Sequence, residues 1–329
     1  ASNIANGRSE IVLTGGVEAM SYAPILLNDT MANWLASLNG AKKPLDKIKI
    51  LSQLRPGHFK PIIGLICGLT DPINGLGMGQ TAEIIAHRFG ITREQMDEYA
   101  MRSHQRLANA QEQGLLDEIV PIYDSKGKVY QHDDGLRADI DMAKLGKLRP
   151  VFDRHFGNVT AGNSSQITDG AAMLILASGE AVEKYNLPVL GRIVDSHWAG
   201  LDPAEMGLGP AHAMAPIMQR HSFKVEDVDY WEINEAFATQ VLACLAAWQD
   251  EAYCKEFLKL PAALGAIDQS RLNVDGGGVS LGHPVGASGA RIVLHLLQVL
   301  KRNNAKRGIA SLCIGGGQGG AMLVEREAQ

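Results

Sequence analysis

Apolar runs that end at glycine alternate along the chain with segments whose apolar residues recur at helical spacing. The runs predict buried strands at residues 9–16, 171–177, 191–196, 229–233, 309–314 and 322–325. The helical spacing predicts helices at residues 80–89, from Thr92 to Gly114, at 237–248 and at 287–301. Strands that alternate with helices in this way are typical of an α/β fold.

Composition narrows the class of protein. The chain has 329 residues, of which 46% are hydrophobic and 20% charged, enough for one large domain or two smaller ones. Its net charge of −5 provides no basic field for nucleic acid, so no nucleic-acid partner is expected. No run of 18 apolar residues predicts a membrane span, and no signal peptide is visible. Because the chain begins at Ala1, we expect a processed, split or incomplete N-terminus.

The spacing of the cysteines fits neither a metal site nor a disulfide framework. Their four positions show neither C-x-x-C spacing nor a neighbouring histidine pattern, so no metal site is expected. A reduced, cytoplasmic setting is the prediction. The four are Cys67, Cys244, Cys254 and Cys313.

Residues 34–75 differ in charge and apolar composition from the rest of the chain. Between residues 41 and 60 there are six Lys and Arg residues and one acidic residue, Asp46, and apolar residues are interleaved with them. The segment is either an amphipathic patch for a membrane surface or an acyl chain, or a helical excursion packed on the domain with a basic outer face. We favour the helical excursion.

Cys313 follows an apolar strand and precedes a run of glycines, at the strand end where α/β sheets place active sites. A thiol can transfer protons after modest tuning, and the glycines let backbone N–H groups approach a ligand. Taken alone, a buried structural cysteine is the alternative. His283 lies in Gly-His-Pro before a helix and suits a general base. His104, His212 and His295 are read as ordinary surface or core residues.

Two further clusters sit at junctions. Asn234 and Glu235 lie between a strand and a helix, where they either bind a water or carbonyl and orient neighbours, or cap the helix. Residues 161–165, ahead of the Thr168-Asp169-Gly170 turn, either bind a ligand amide or form an ordinary turn.

Seven blocks occur in the order that thiolases have, and the whole chain resembles that family. The blocks are residues 68–71, 78–79, 160–163, 207–210, 234–238, 283–289 and 313–317. The resemblance implies two βαβαβ halves of mixed sheet that sandwich helices, with an inserted loop domain. It divides the chain into an N-terminal half at 1–25 and 168–186, a loop domain at 26–167 and a C-terminal half at 187–329.

The resemblance also implies an activity: thiolysis of 3-ketoacyl-CoA, or the reverse condensation, through an acyl-cysteine. His283 would deprotonate the nucleophilic cysteine and help to bind the thioester oxygen, and Cys313 would act as acid and base at the α-carbon. Asn234 would hold the water of one oxyanion hole, and the Gly315 N–H would serve the other. Ser165 would contact pantetheine. The tunnel would be lined by Leu69, Met78, Phe152, Ala161, Ile167 and Phe237. CoA and acyl-CoA would be substrates, and no cofactor is implied.

One part of the family pattern is missing. In thiolases the nucleophilic cysteine begins the helix that leads into the first strand–Gly-Gly block, here residues 9–20, and residues 1–329 contain no cysteine there. We therefore expect this chain alone to form no acyl-enzyme, and to be a fragment. The alternative is a non-catalytic acyl-CoA-binding protein or one piece of a split gene. A ketoacyl synthase relative ranks lower, because those enzymes lack Cys313 with its glycine run.

Substrate length and partners stay open. Residues 51–61 and the insert between 237 and 273 look closer to the β-subunits of fatty-acid oxidation complexes, which usually carry His where this chain has Asn234. The Asn form is the one seen in acetyl-CoA acetyltransferases and other degradative thiolases. The resemblance implies a homodimer or homotetramer, with the α-subunit of such a complex as a possible partner.

Overall fold

The computed structural model describes residues 1–326. Its ten strands, β1 to β10, are Ile11–Ala19, Ile25–Leu26, Ile62–Ile63, Ile122–Tyr123, Val129–Tyr130, Asp169–Ala177, Arg192–Gly200, Tyr230–Ile233, Arg307–Ile314 and Gln318–Glu325. Its thirteen helices, α1 to α13, are Ser2–Ala5, Asp29–Gly40, Pro44–Leu51, Gly64–Gly68, Met78–Arg88, Arg93–Glu112, Met142–Leu145, Gly179–Tyr185, Gly209–Arg220, Ala238–Gln249, Glu251–Glu256, Gly278–Leu281 and Val285–Arg302. Five 3₁₀ turns complete the described part, at Met20–Tyr22, Pro56–Phe59, Pro203–Leu208, Val225–Asp227 and Gln269–Arg271.

The strands and helices predicted from periodicity are confirmed, most of them within two or three residues at each end. The start of α6 shows why the local signal was strong. Thr92 Oγ1 accepts a hydrogen bond from the Gln95 N–H at 3.3 Å, and Gln95 Oε1 accepts one from the Thr92 N–H at 2.8 Å. This capping box needs only side chains three residues apart, so the sequence carries it completely.

A four-stranded mixed sheet forms the larger core, in the order β7-β10-β9-β8. Strand β8 runs parallel to β9, and the other two pairings are antiparallel. Helix α13 covers one face, where Leu296 and Leu300 pack with Ala310 and Val324. Helices α9 and α10 cover the other face, where Trp231, Trp248 and Met214 are buried. Because both faces are covered, four consecutive residues of β9, Gly308 to Ser311, are buried, rather than every second one.

A separate two-stranded antiparallel sheet, β1 with β6, packs against the same helix α13. The backbones of β1 and α13 touch here. A Cβ built on Gly16 would lie 1.8 Å from the Gly286 carbonyl oxygen, so only glycine fits. The α13 N-terminus, with His283 just before it, is thereby fixed between the two sheets.

Replacing Gly16 by alanine should destabilise the fold by about 1–3 kcal/mol, because the new methyl group meets a carbonyl oxygen that cannot move without α13. Urea unfolding followed by circular dichroism measures the change. Gly179→Ala is the matched control, since a Cβ there meets nothing within 4 Å. Equal unfolding midpoints for the two variants would contradict the close β1–α13 contact.

Residues Met20–Thr70 form a compact unit of their own, apart from the unit of Ala1–Ala19 and the chain from Asp71 onward. Within it, the Asn28 side chain caps α2 and also donates hydrogen bonds to the carbonyls of Gly57 and Lys60, at 2.9 and 2.6 Å. On α3, Leu45 and Ile48 are 65% and 62% exposed among the lysines. The helical content of the predicted excursion is confirmed by α2, α3 and α4, and its packing on the domain stays a prediction. The predicted division at residues 26–167, 1–25 with 168–186, and 187–329 stays a prediction.

Candidate active site

The parallel pair β8 and β9 brings Asn234 and Cys313 to one edge of the mixed sheet. Ile233 lies opposite Ser311, and the Asn234 N–H donates to the Ser311 carbonyl at 2.9 Å. Cys313 follows two residues later on β9 and is 6% exposed. It packs with Met206 and Ala236, and Met78 and Phe237 lie against this cluster. A strand end that carries polar side chains beside a small apolar cluster is where α/β sheets bind ligands.

Burial raises the pKa of the Cys313 thiol to about 12. The thiol therefore carries its proton at neutral pH and can act as a proton donor. Once deprotonated, a thiolate with so high a pKa is a strong base, which suits removal of a weakly acidic proton from carbon.

The loop after Cys313 needs glycine. Gly316 and Gly317 have φ values of 80° and 75°, and a Cβ on Gly317 would lie 2.2 Å from the Leu201 carbonyl oxygen. The Gly316 N–H donates to the buried Asp71 carboxylate at 2.9 Å. A Cβ on Gly315 would lie 3.7 Å from the Met78 sulfur. The loop is thus fixed from one side, with Gly315 next to the apolar cluster around Cys313.

His283 stands between α12 and α13 and is held in one tautomer. The Ser288 hydroxyl donates its hydrogen to the Pro284 carbonyl at 3.0 Å. Its oxygen lies 2.6 Å from His283 Nδ1, and having given its hydrogen away it must accept the Nδ1–H. Nε2 is then the unprotonated nitrogen, and Asn234 Nδ2 donates to it at 3.3 Å. This is the tautomer that a general base at Nε2 requires.

Burial, and next the nearby Arg291 guanidinium, lower the pKa of His283 to about 4, while the Glu18 carboxylate opposes them. The imidazole is therefore neutral at pH 7. Its lone pair is free to take a proton in the reaction cycle.

Asn234 is fully buried, and its Oδ1 makes no hydrogen bond to any other described residue. A buried carbonyl oxygen without a donor costs free energy. The amide therefore offers an acceptor to a water or ligand that enters beside His283. The alternative role as a helix cap is wrong, because the N-cap residue of α10 is Phe237.

Glu235 orients its neighbours and does not cap α10. It accepts hydrogen bonds from Tyr99 Oη at 2.9 Å, Ser103 Oγ at 2.6 Å, Asn273 Nδ2 at 3.0 Å and the Val279 N–H at 3.2 Å. The network ties α6 to the loops that carry Asn234 and His283. Sequence reasoning missed Tyr99, Ser103 and Asn273. Their polar groups on buried faces were the available signal.

Three of the predicted tunnel residues, and Ser165, come together in the structure. Met78 and Phe237 pack at Cys313, and the Phe152 ring meets Phe237 edge-on at 6.0 Å. The Ser165 N–H donates to the Ala236 carbonyl at 2.9 Å. Three others are not tied to this group: Ala161 is exposed, Ile167 is 58% exposed, and Leu69 belongs to the Met20–Thr70 unit.

The other cysteines lie elsewhere. Cys244 and Cys254 are buried, and their thiols donate to the carbonyls of Gly207 and Ala247, at 3.4 and 3.3 Å. Burial raises the pKa of both thiols, that of Cys244 to about 12. Cys67 is exposed on α4. Within residues 1–326, no group of three or more His, Cys, Asp and Glu side chains could hold a metal ion. No helix in the same range is long and apolar enough to cross a membrane.

Two family models match consecutive parts of the chain. Residues 1–180 match the thiolase N-terminal domain, and residues 187–326 match the thiolase C-terminal domain. The chain is 36% identical over 331 residues to a 3-ketoacyl-CoA thiolase of Erwinia tasmaniensis, covering 99% of this chain and 74% of the relative. The 3-ketoacyl-CoA thiolase of Yersinia pestis is equally similar, over 330 residues, 99% of this chain and 75% of the relative.

Solved structures agree. The human mitochondrial 3-ketoacyl-CoA thiolase in complex with CoA superposes with a TM-score of 0.82 at 35% identity, covering 99% of this chain and 73% of that one. The Bacillus anthracis acetyl-CoA acetyltransferase gives a TM-score of 0.80 at 38% identity, covering 98% and 73%. The chain thus spans about three quarters of the length of these relatives. These matches show that the chain, with its Asn234, His283 and Cys313 loops, belongs to the thiolase family of acyltransferases.

Proposed function

We propose that this protein acts on 3-ketoacyl-CoA, cleaving it with CoA to acetyl-CoA and a shortened acyl-CoA, or running the reverse condensation. The observation that carries the proposal is the neutral His283, whose unprotonated Nε2 lies 3.3 Å from the amide nitrogen of the buried Asn234. The buried thiol of Cys313 lies at the end of the neighbouring strand. CoA and acyl-CoA are its substrates, and its 3-ketoacyl-CoA thiolase relatives support that class.

In thiolysis, a cysteine thiolate attacks the 3-keto carbon after His283 Nε2 takes its proton. The bond between C2 and C3 then breaks, and the electron pair goes to C2 as an enolate of acetyl-CoA. The enolate oxygen accepts hydrogen bonds from the newly protonated Nε2 and from a water held by Asn234. The Cys313 thiol gives its proton to C2. The Cys313 thiolate then takes the proton of the CoA thiol, and the CoA sulfur attacks the acyl-cysteine, with the Gly315 N–H at its carbonyl oxygen. The bond between the acyl carbon and the cysteine sulfur breaks, the protonated Nε2 of His283 returns its proton to that sulfur, and the shortened acyl-CoA is released.

The attacking thiolate is not supplied by residues 1–329. Cys244 and Cys254 are buried in the core with raised thiol pKa values, Cys67 is exposed on α4 of the Met20–Thr70 unit, and Cys313 has the proton-transfer role. We therefore propose that the 329-residue polypeptide by itself exchanges the α-protons of acetyl-CoA but forms no acyl-enzyme. Exchange needs only a base at the α-carbon and hydrogen bonds at the thioester oxygen. Acylation needs the missing nucleophile.

Two assays on the same preparation test this. Deuterium incorporation into the acetyl-CoA methyl group in D₂O, followed by NMR, should exceed the buffer rate. Incubation with acetoacetyl-CoA, followed by intact-protein mass spectrometry, should show no acetyl adduct. A folded polypeptide without exchange would contradict the roles of Cys313, His283 and Asn234. Rapid thiolysis would show that one of the four cysteines is the nucleophile after all.

A second candidate is an acyl-CoA-binding protein that has no reaction of its own. It predicts CoA binding by calorimetry without α-proton exchange, and loss of binding when Met78 is replaced by tryptophan. Met78 is the right position because its sulfur borders both Gly315 and Cys313. Exchange at a measurable rate would eliminate this candidate.

Substrate length, assembly and location are further parts of the proposal. The Asn234 form supports short substrates, and the apolar-basic residues of α3 support longer ones. The test compares thiolysis rates with acetoacetyl-CoA and with long-chain 3-ketoacyl-CoA, in a full-length protein that contains the nucleophilic cysteine. The faster substrate shows which chain length the enzyme prefers. We propose a cytoplasmic homodimer or homotetramer, with an α-subunit of a fatty-acid oxidation complex as a candidate partner. Sedimentation velocity measures the assembly directly.

A further inference from the structure

The N-terminus of α13 is capped from another part of the chain. Its N-cap residue is Pro284, and it has no side-chain cap hydrogen bond of its own. The Gly286 N–H instead donates to Glu18 Oε2 on β1, at 3.1 Å and 268 positions away in sequence. A carboxylate there satisfies a helix N–H that has no partner within α13 and interacts favourably with the positive end of the helix dipole.

Glu18 is itself fixed. Its second oxygen, Oε1, accepts a hydrogen bond from the Ala19 N–H at 3.0 Å, so a backbone donor holds each carboxylate oxygen. Glu18 lies opposite Gly170 in the β1–β6 register, on a half-buried position of β1. The carboxylate therefore has a defined place relative to the strand.

Backbone contacts around Glu18 leave little freedom between β1 and α13. A Cβ on Gly286 would lie 2.7 Å from the Val17 carbonyl oxygen. A Cβ on Gly170 would lie 2.8 Å from the Pro284 ring. Because glycine has no Cβ, these positions allow the β1–β6 sheet to pack directly against the first turn of α13. The Glu18–Gly286 bond is the polar contact that orients this turn.

The same turn holds the ring of His283. Ser288, one turn into α13, bonds both the Pro284 carbonyl and His283 Nδ1. The backbone N–H of His283 donates a hydrogen bond to the Gln166 carbonyl at 3.3 Å. A shift of the first turn therefore moves the partner that sets the tautomer of His283.

We propose that Glu18 is a positioning residue, which holds the first turn of α13 and, through Ser288, keeps His283 in its Nδ1–H form. The inference rests on the proposed role of His283 as proton acceptor and deepens it. The two hydrogen bonds of Glu18 go to the backbone N–H groups of Ala19 and Gly286, and Glu18 is not among the predicted site residues.

The charge of Glu18 gives a second readout. The carboxylate raises the pKa of His283 against burial and against Arg291 of α13. Arg291 and Glu18 are the two charged side chains that shift the pKa of His283 in the described part of the chain, and its hydrogen-bond partners Asn234 and Ser288 are uncharged. Removing the charge should lower the pKa of His283 further. Glu18→Gln removes the charge and keeps one acceptor oxygen, whereas Glu18→Ala removes both.

The test is ¹⁵N NMR of histidine-labelled protein at pH 7, with the His283 signals assigned by their loss in His283→Asn. The wild-type chain should show a protonated Nδ1 and an unprotonated Nε2. Glu18→Ala should show a mixture of tautomers and a roughly 10- to 100-fold slower α-proton exchange of acetyl-CoA at unchanged KM. Glu18→Gln should fall between the two.

Glu10→Gln is the matched control. It removes a carboxylate just before β1 whose ion pair, with Lys184 at 3.2 Å, is exposed and makes no contact with α13. It should change neither the tautomer nor the exchange rate. An unchanged tautomer in both Glu18 variants would overturn the inference, and so would equal effects of Glu10→Gln and Glu18→Gln. If the wild-type chain shows no exchange, the proposed function fails, while the tautomer comparison still decides the role of Glu18.

Discussion

Replacing Cys313 by alanine should slow the α-proton exchange of acetyl-CoA by about 10²–10⁴-fold, the usual contribution of one positioned acid–base group. The buried thiol has a pKa of about 12, so its thiolate is a base strong enough for a carbon acid. The substitution removes that base and leaves His283 and Asn234 in place. Deuterium incorporation measured by NMR gives the rate, and calorimetry with CoA should show unchanged affinity.

Cys67→Ser is the control for this variant, because Cys67 is exposed on α4, outside the cluster around Cys313. The exchange rate of wild-type protein should rise with pH, since the thiolate fraction grows over the whole accessible range below a pKa of about 12. A Cys313→Ala variant that keeps the wild-type rate and pH dependence would place the base elsewhere.

Replacing His295 by glutamine should destabilise the fold by about 3–5 kcal/mol at pH 7, because it removes the cation that lies between two buried carboxylates. His295 is 2% exposed, with Nδ1 at 2.5 Å from Glu118 and Nε2 at 3.0 Å from Asp275. Arg302 binds Asp275 from the other side at 2.6 Å. These carboxylates overcome the effect of burial and raise the pKa of His295 to about 9.

The sign of the pH effect follows from that shift. The pKa of His295 is about 9 in the folded protein and about 6.5 in the unfolded chain, so between these values the folded state binds the extra proton. The stabilisation by His295 is complete below pH 6.5 and is lost as the pH rises through 9, a change of roughly 3 kcal/mol. Urea midpoints of the wild-type protein should fall over this window.

His87→Gln is the control, since His87 is exposed at the end of α5. It should keep the alkaline loss of stability, and His295→Gln should lack it. If both variants follow the wild-type curve, His295 is not a buried cation. His283 works in the opposite direction, because its lowered pKa of about 4 means that stability is lost as the pH falls from 6.5 toward 4.

Local patterns determined much of this protein from the sequence. The apolar runs placed β1, β6, β8 and β9, and the helical spacing placed α13, because burial on one or two faces imposes these periods directly on the residues. The ordered blocks around Asn234, His283 and Cys313 likewise pointed to the thiolase family, which the family models and relatives confirm. Each of these signals lies within a stretch of twenty residues or fewer.

The tertiary structure decided the rest, because it depends on pairs that are far apart in sequence. The Glu235 contacts with Tyr99 and Ser103, and the Glu18 contact with Gly286, each span more than 130 positions. His295 reads as an ordinary histidine in its helix, and only the approach of Glu118 and Asp275 makes it a buried cation. Charge state and tautomer are set by such neighbours and by burial, and no periodic pattern records them.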